Sequence, residues 1–303
     1  MKSSEYGLRT IESRQNSRVK ELRAGLQRGI KTEQGLIAIE GDHLLREAVR
    51  SGLRVRTIFL RSGDEHLLDP DLAGKAEVVL VPGKIFASAV VTAHPQGIAA
   101  LIEPPAFGQS RPSAEISGEE SPFSKSGRWK AMLRGMPLIV LAGGLQDPGN
   151  LGTLVRSAEA FGATGMILLP GTVSLWNPKA LRASSGSAFR LPSAAITAEE
   201  AFAALRANGV QLIAAVSRGG SAQADLTRPA ALLLGNEGAG LPDAWVGQAD
   251  ARVTIPCPGA VESLNAAVAG SVLLYEAARQ RALKDQPAAP AVLKTHSAKQ
   301  GRR

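Results

Sequence analysis

Apolar and polar positions follow regular periods in two blocks of the chain, separated by a stretch with no period. In the first block "ESRQNSRVKELRAGLQRG" places apolar residues at helical spacing, "LIAIEG" reads as a strand, and "DHLLREAVRSG" reads as a helix closing at Gly52. The runs "RTIFL", "AEVVLV" and "GIAALIE" follow as further strands, so the pattern predicts a small α/β domain over residues 1–103. From Pro104 to Pro137 the period dissolves into the Ser-, Pro- and Gly-rich "PPAFGQSRPSAEISGEESPFSKSGRWK", which predicts a flexible linker over residues 104–137. The second block, residues 138–282, carries the strand-like runs "LIVLAGG", "GMILLP", "VQLIAAVS", "AALLLGN" and "RVTIPC" between helical patterns. Near-continuous apolar runs flanked by helices predict a mostly parallel sheet covered on both faces. The Pro- and Ala-rich basic tail, residues 283–303, is expected to be disordered.

Parallel sheets of this kind bind ligands at the carboxyl ends of their strands. Three strand-end segments therefore attract attention. In "LAGGLQDPGNLGTLVRSAEAFGATG", Asp147-Pro148-Gly149 form a turn, Asn150 reads as the helix N-cap, and Gly162 suits the helix end. Asn150, Thr153 and Arg156 recur at steps of three and so share a polar edge; taken alone, a capping Asn and a surface Arg explain them better than a functional role does. In "LLLGNEGAGLP" a buried strand runs into Gly235-Asn236-Glu237-Gly238-Ala239-Gly240, a loop whose order matches neither the dinucleotide fingerprint nor the phosphate-binding P-loop. A carboxylate such as Glu237 in that loop can accept hydrogen bonds from a substrate or anchor an arginine. In "IPCPGAVESLN" two prolines and a glycine form a rigid turn before a long helix, with Ser263 as its expected N-cap and Asn265 in its first turn. Ala266, Ala267, Ala269 and Gly270 imply close packing of that helix.

Composition narrows the classes. The 303 residues suffice for two domains of ordinary size, each with its own core. Thirty-five Lys and Arg against 27 Asp and Glu give a net charge of +8, the balance of a protein that meets a polyanion, although a basic soluble protein without such a partner fits it equally well. Eight Lys or Arg against three Glu fall in the first 31 residues, a pattern that a solvated helix face explains as well as RNA does. One cysteine, Cys257, excludes an intramolecular disulfide framework, and four scattered histidines give no metal motif. The N-terminus lacks a signal-peptide core and no apolar run is long enough to span a membrane, so the cytoplasm is the expected location.

Taken together, the three segments resemble the signature of the SpoU (TrmH) family of RNA ribose 2′-O-methyltransferases, in the SPOUT superfamily. The matching elements are "NLGTLVR" from Asn150 to Arg156, the Gly235–Gly240 loop, and Ile255-Pro256 leading to Ser263-Leu264-Asn265. "NPKALRASSGSAFRLP", Asn177 to Pro192, is similar to the segment where such enzymes approach RNA, and "IEGDHLLREA" resembles part of their substrate-binding domain. The resemblance implies an α/β fold with a C-terminal trefoil knot, a small N-terminal α/β domain that binds substrate RNA, and a homodimer. It implies S-adenosyl-L-methionine as cofactor, held by Leu234, Gly235, Asn236, Gly238, Ile255, Pro256, Ser263 and Leu264. It places Arg156, Asn150, Glu237, Ser263 and Asn265 at the catalytic edge and implies no metal.

The reaction so implied moves a methyl group from a sulfonium to a ribose 2′-hydroxyl, which asks the protein to align the partners, exclude water and activate a poor nucleophile. The family proposal gives Arg156 the base role. A guanidinium is normally protonated throughout, so the expected role here is to position an RNA phosphate and stabilise the developing alkoxide. Ribosomal RNA is preferred over transfer RNA as substrate. Two rivals stay open: a covalent route through the Pro256-Cys257 pair, and a non-catalytic RNA-binding or ribosome-assembly protein of the same fold.

Overall fold

A computed structural model describes residues 9–72, 74–107, 123, 125–236 and 238–284. Among these residues two sheets form. The first block contributes β1 (Arg9–Thr10), α1 (Ser17–Arg28), β2 (Ile37–Glu40), α2 (Asp42–Arg50), β3 (Val55–Arg61), β4 (Glu77–Val81), α3 (Gly83–Ala89) and β5 (Ile98–Ile102). Its sheet runs β1-β4-β3-β5-β2, with β5 antiparallel to both neighbours. Helix α1 starts where Asn16 caps it, its side chain accepting from the Arg18 amide, and ends at the left-handed Gly29. The short β1 and α3 carry too few periodic residues to stand out in the sequence.

The second block contributes α4 (Gly127–Met132), β6 (Leu138–Ala142), α5 (Pro148–Ala160), β7 (Gly165–Leu168), α6 (Pro178–Ser184), α7 (Ser187–Arg190), β8 (Ser193–Ala195), α8 (Ala198–Ala207), β9 (Gln211–Ala215), β10 (Ala230–Leu234), α9 (Asp243–Val246), β11 (Ala251–Val253) and α10 (Ala266–Lys284). The strands pair in parallel in the order β11-β9-β10-β6-β7-β8, as the apolar runs predicted. Every residue of β6 and β10 is buried, which fits central strands covered on both faces. The strand order reverses between β6 and β10, and a crevice forms at such a switch point.

Part of the expected linker is ordered. Trp129 and Met132 of α4 are 2% and 0% exposed and pack with Ile139, Leu141 and Ile167, and the Phe123 ring lies 5.4 Å from that of Trp129. The average composition of residues 104–137 hides these three large apolar side chains, which cover one face of the second sheet. Residues 108–122 and Ser124 lie outside the described residues, as does the tail from 285 onward; α10 includes Leu283 and Lys284.

The two halves share an interface. One apolar cluster runs from Ile39, Leu44 and Leu45 into Leu181 and Phe189. Arg190 spans it, donating to Glu47 Oε2 at 2.7 Å and to Glu159 Oε1 at 2.5 Å, while His43 Nε2 and Ser185 Oγ are 2.8 Å apart. Among the described residues no helix is long and apolar enough to cross a membrane.

Candidate active site

Helix α5 does not begin as its sequence suggested. Asp147 is the N-cap, its carboxylate accepting from the Asn150 amide at 2.9 Å, and Pro148 occupies the first turn. Proline at the first helical position has no amide to lose and is pre-set for helical φ, so the cap falls one residue before it. The Lys179 ammonium, 2.7 Å away, and the Asn150 amide hold the Asp147 carboxyl below the usual range. Relieved of capping, the Asn150 carboxamide accepts from Asn265 Nδ2 at 3.1 Å.

Helix α10 departs in the same way. Asn265, not Ser263, is the cap: its Oδ1 accepts from the amides of Ala267 and Val268 at 3.0 and 3.2 Å. The helix begins at Ala266, so Ser263 lies too far upstream for the role. A single Asn side chain thus caps α10 with its oxygen and reaches α5 with its nitrogen. The two helices then run side by side. Gly270 sits where an added Cβ would lie 2.5 Å from Leu154 Cδ1 and 2.7 Å from Leu234 Cδ1, Ser271 Oγ donates to Ser157 Oγ at 2.7 Å, and Tyr275 meets Phe161 edge-on at 5.8 Å. Close approach at a small residue, expected from the Ala- and Gly-rich sequence, is therefore met at Gly270.

After β10 the chain doubles back tightly. Asn236 and Gly240 exchange backbone hydrogen bonds at 3.1 and 3.0 Å, and a Cβ on Gly235 would lie 2.5 Å from the Gly240 carbonyl carbon, so Gly235 admits no side chain. Asn236 holds this loop with its whole carboxamide. Its Oδ1 accepts from Gly238 and Ala239 at 2.8 and 3.0 Å, and its Nδ2 donates to the Gly144 carbonyl at 2.7 Å. Glu237 lies outside the described residues. After β11, Thr254 Oγ1 donates to the Val216 carbonyl and accepts from the Gly220 amide, both at 3.0 Å, which ties the start of the proline turn to the loop after β9.

These turns enclose a cavity of about 860 Å³ at the carboxyl ends of β9, β10 and β11. Leu234, Gly235, Asn236 and Gly238 line it from one side; Ile255, Pro256, Ser263 and Leu264 line it from the other. All eight residues proposed as cofactor ligands from the sequence therefore meet on one space. Leu264 and Ala266 flank Asn265 and also line the cavity, so the bond between Asn265 and Asn150 stands at its edge. Arg156 does not line it. That side chain is exposed on α5, six residues beyond Asn150, or about 9 Å along the axis.

Some lining residues escaped the sequence reading. Arg218 and its neighbours in the loop after β9 line the cavity, as do Asp243 and Glu262; Cys257, singled out in the sequence for a rival route, lines it too. The Cys257 thiol is half-buried and donates to the carbonyl of Ile255 in its own turn, at 3.5 Å. Because β9 pairs with β10, any loop leaving its carboxyl end must reach the same sheet edge, and strand order would have revealed Arg218. No periodicity in the chain reports strand order.

Comparison with known proteins follows these two blocks. Residues 137–275 match the SpoU rRNA methylase family and residues 16–100 match the MRM3-like substrate binding domain. A curated relative, the 23S rRNA (guanosine(2553)-2′-O)-methyltransferase RlmP of Bacillus subtilis, is 30% identical over 270 residues, covering 88% of this chain and 98% of its own. The crystal structure of an AdoMet-bound rRNA methyltransferase from Sinorhizobium meliloti superposes with a TM-score of 0.72 at 30% identity, over 90% of this chain and 98% of that one. The AviRb methyltransferase of Streptomyces viridochromogenes in complex with AdoMet gives a TM-score of 0.70 at 28% identity, over 88% of this chain and 100% of that one.

Proposed function

Because the chain belongs to the SpoU rRNA methylase family, we propose that it transfers a methyl group from S-adenosyl-L-methionine to a ribose 2′-hydroxyl of ribosomal RNA. One observation carries the reading. Turns from three distant parts of the chain converge on one cavity, and the Asn265–Asn150 bond joins its edge to α5. The cavity volume of about 860 Å³ lies within the ~300–1,000 Å³ usual for small-ligand sites. Leu234, Ile255, Leu264 and Ala269 give it apolar walls suited to a flat heteroaromatic ring, and Arg218, Asp243 and Glu262 give it charged groups suited to an amino-acid moiety. S-adenosylmethionine, when bound, supplies a methyl group activated by the sulfonium charge.

The chain's own part is binding and alignment. Gly235 and Gly238 present backbone close to the cavity, with Asn236 holding that loop in place. Ile255, Pro256 and Leu264 form the facing wall, and Ser263 with Asn265 and Asn150 orients the nucleotide at its edge. Arg156, exposed on α5 and outside the cavity wall, is assigned on the family resemblance alone to steer an RNA phosphate and stabilise the developing alkoxide. Glu237 is assigned to the same edge on the family resemblance alone.

The finer points belong to the same proposal. A homodimer would form along the outer face of α10, where Val268, Val272 and Tyr275, spaced at helical steps, are 49%, 41% and 55% exposed. A C-terminal trefoil knot is supported by the path of the chain, since α10 follows β11 at the sheet edge yet packs beside α5 and β10 near its middle. Residues 1–103 would bind RNA, residues 138–282 would carry the chemistry, and the protein would work in the cytoplasm.

The deciding experiment incubates the protein with methyl-labelled S-adenosylmethionine and total RNA from cells lacking it, then maps the modified nucleotide. Label on a ribose 2′-oxygen, abolished by Arg156→Ala without loss of cofactor affinity in calorimetry, is the expected result. Label confined to transfer RNA would move the substrate. Label on a base carbon, or no cofactor binding, would end the reading.

A further inference from the structure

A second cleft, of about 870 Å³, opens at the carboxyl ends of β7 and β8, away from the cofactor cavity. The loop from Leu168 to Trp176 and the start of α8 line it, and two cations face into it from different parts of the chain. Lys31 follows α1 in the first block; Arg128 belongs to α4. Nearby, Gly29 packs so closely on Asn177 that a Cβ there would lie 2.9 Å from Asn177 Cα, so the cleft is a seam between the two halves.

Among the described residues the charges in this seam are poorly compensated. Among the described residues neither Lys31 nor Arg128 forms a salt bridge, and Arg128 Nε is shut off from solvent with no hydrogen-bond partner. Among the described lining residues Glu200 is the carboxylate, set against two cations. Burial lowers the pKa of the Lys31 ammonium, the nearby Arg128 guanidinium lowers it further, and burial lowers that of Arg128. Two like charges, Lys31 at the surface and Arg128 with its Nε shut off from solvent, face one cleft in the free protein, and an anion between them would relieve both.

The cleft also adjoins the candidate active site. Thr172 Oγ1, on its floor, accepts from the Gly144 amide at 3.0 Å, and the Gly144 carbonyl accepts from Asn236 of the cofactor cavity at 2.7 Å. One turn of chain thus separates the two spaces. We propose that the cleft holds a backbone phosphate of the substrate RNA between Lys31 and Arg128, with an adjoining base against the half-buried Trp176. The volume exceeds what a free phosphate fills, and an aromatic face serves a nucleotide better than an inorganic anion. The assignment rests on the RNA methyltransferase reading and adds a contact made by both halves at once.

The test is equilibrium binding of the full chain to ribosomal RNA from cells lacking the protein, across a range of KCl concentrations. Lys31→Gln and Arg128→Gln should each weaken binding several-fold and reduce the slope of log affinity against log salt by about 0.7. Trp176→Leu should weaken binding and leave that slope intact. In methyl transfer, Lys31→Gln should raise KM for RNA while kcat and cofactor affinity hold. Lys31 is exposed, so its replacement spares the core; a circular-dichroism melt checks Arg128→Gln. Unchanged affinity and salt slope in Lys31→Gln would overturn the proposal. So would inorganic phosphate that protects the unaltered protein but not Lys31→Gln against heat, with equal RNA affinity in both. Because binding is read without turnover, a protein that transfers no methyl would fail the functional reading and still score the cleft.

Discussion

Replacing Asn265 separates its two tasks. Its oxygen caps α10 through the Ala267 and Val268 amides, and its nitrogen holds Asn150 on α5 at 3.1 Å. Asn265→Ala removes both: loss of the cap costs about 1 kcal/mol, and loss of an exposed neutral hydrogen bond about 0.5 kcal/mol more. The sum, about 1.5 kcal/mol, lowers the melting temperature by roughly 2–3 °C, at ~2.1 cal/mol/K of unfolding entropy per residue over the whole chain. Asn265→Ser keeps a capping oxygen but is too short to reach Asn150, so its stability should lie within about 0.5 kcal/mol of the unaltered protein. If the bridge aligns the catalytic edge, both variants should lose kcat alike, roughly ten- to hundred-fold, despite their different stabilities. Thermal melts and methyl transfer on one RNA preparation measure the two quantities, with cofactor calorimetry as the control. Asn265→Ser with kcat within twofold of normal would refute the argument, because the bridge would then be incidental to the chemistry. A double-mutant cycle with Asn150→Ala supplies a check, since side chains that act together should show a coupling of at least about 0.5 kcal/mol.

Further outcomes follow from other contacts. Asn236→Ala loses bonds to Gly144, Gly238 and Ala239, so stability should fall by about 2–3 kcal/mol and cofactor affinity at least tenfold in calorimetry; intact affinity would detach the loop from the site. Arg190 and the other hydrogen-bonding partners outweigh the effect of burial to hold the Glu47 and Glu159 carboxyls below their ordinary value of 4.5. Their contribution is therefore complete above about pH 4.5 and is lost as pH falls through the lowered folded values. Urea denaturation between pH 3 and about 6 should show that acid loss, and Arg190→Gln should flatten it; an unaltered pH slope would contradict the assignment. Cys257→Ala should transfer methyl groups at the normal rate, and a hundred-fold loss in a folded variant would revive a covalent cysteine route.

Much of the architecture was legible because burial on both faces of a parallel strand leaves an unbroken apolar run. The runs at Leu138–Ala142, Gly165–Leu168 and Ala230–Leu234 reveal their strands in that way. Ser193–Ala195 does not, because three small residues carry no period, and α4 stayed hidden inside a polar segment whose average masked Trp129 and Met132. The turns that line the cavity were legible through local motifs, because tight turns demand Gly and Pro residue by residue; the cofactor role proposed for them came from the family resemblance. Each cap was misplaced by its immediate neighbourhood. Asn150 and Ser263 are good capping residues, but Asp147 before Pro148, and Asn265 directly before the helix, hold better positions.

What the sequence alone determined is the set of parts: two α/β blocks, a basic balance, a glycine loop, a proline turn and a polar helix edge. Only the tertiary structure decided which parts meet. Strand order brought the loop after β9 and its Arg218 to the cavity, helix packing turned Asn265 towards Asn150, and the seam between the halves set Lys31 beside Arg128. Pattern along a chain reports the environment of each residue one at a time, whereas a site is a relation between residues that only the folded path makes neighbours.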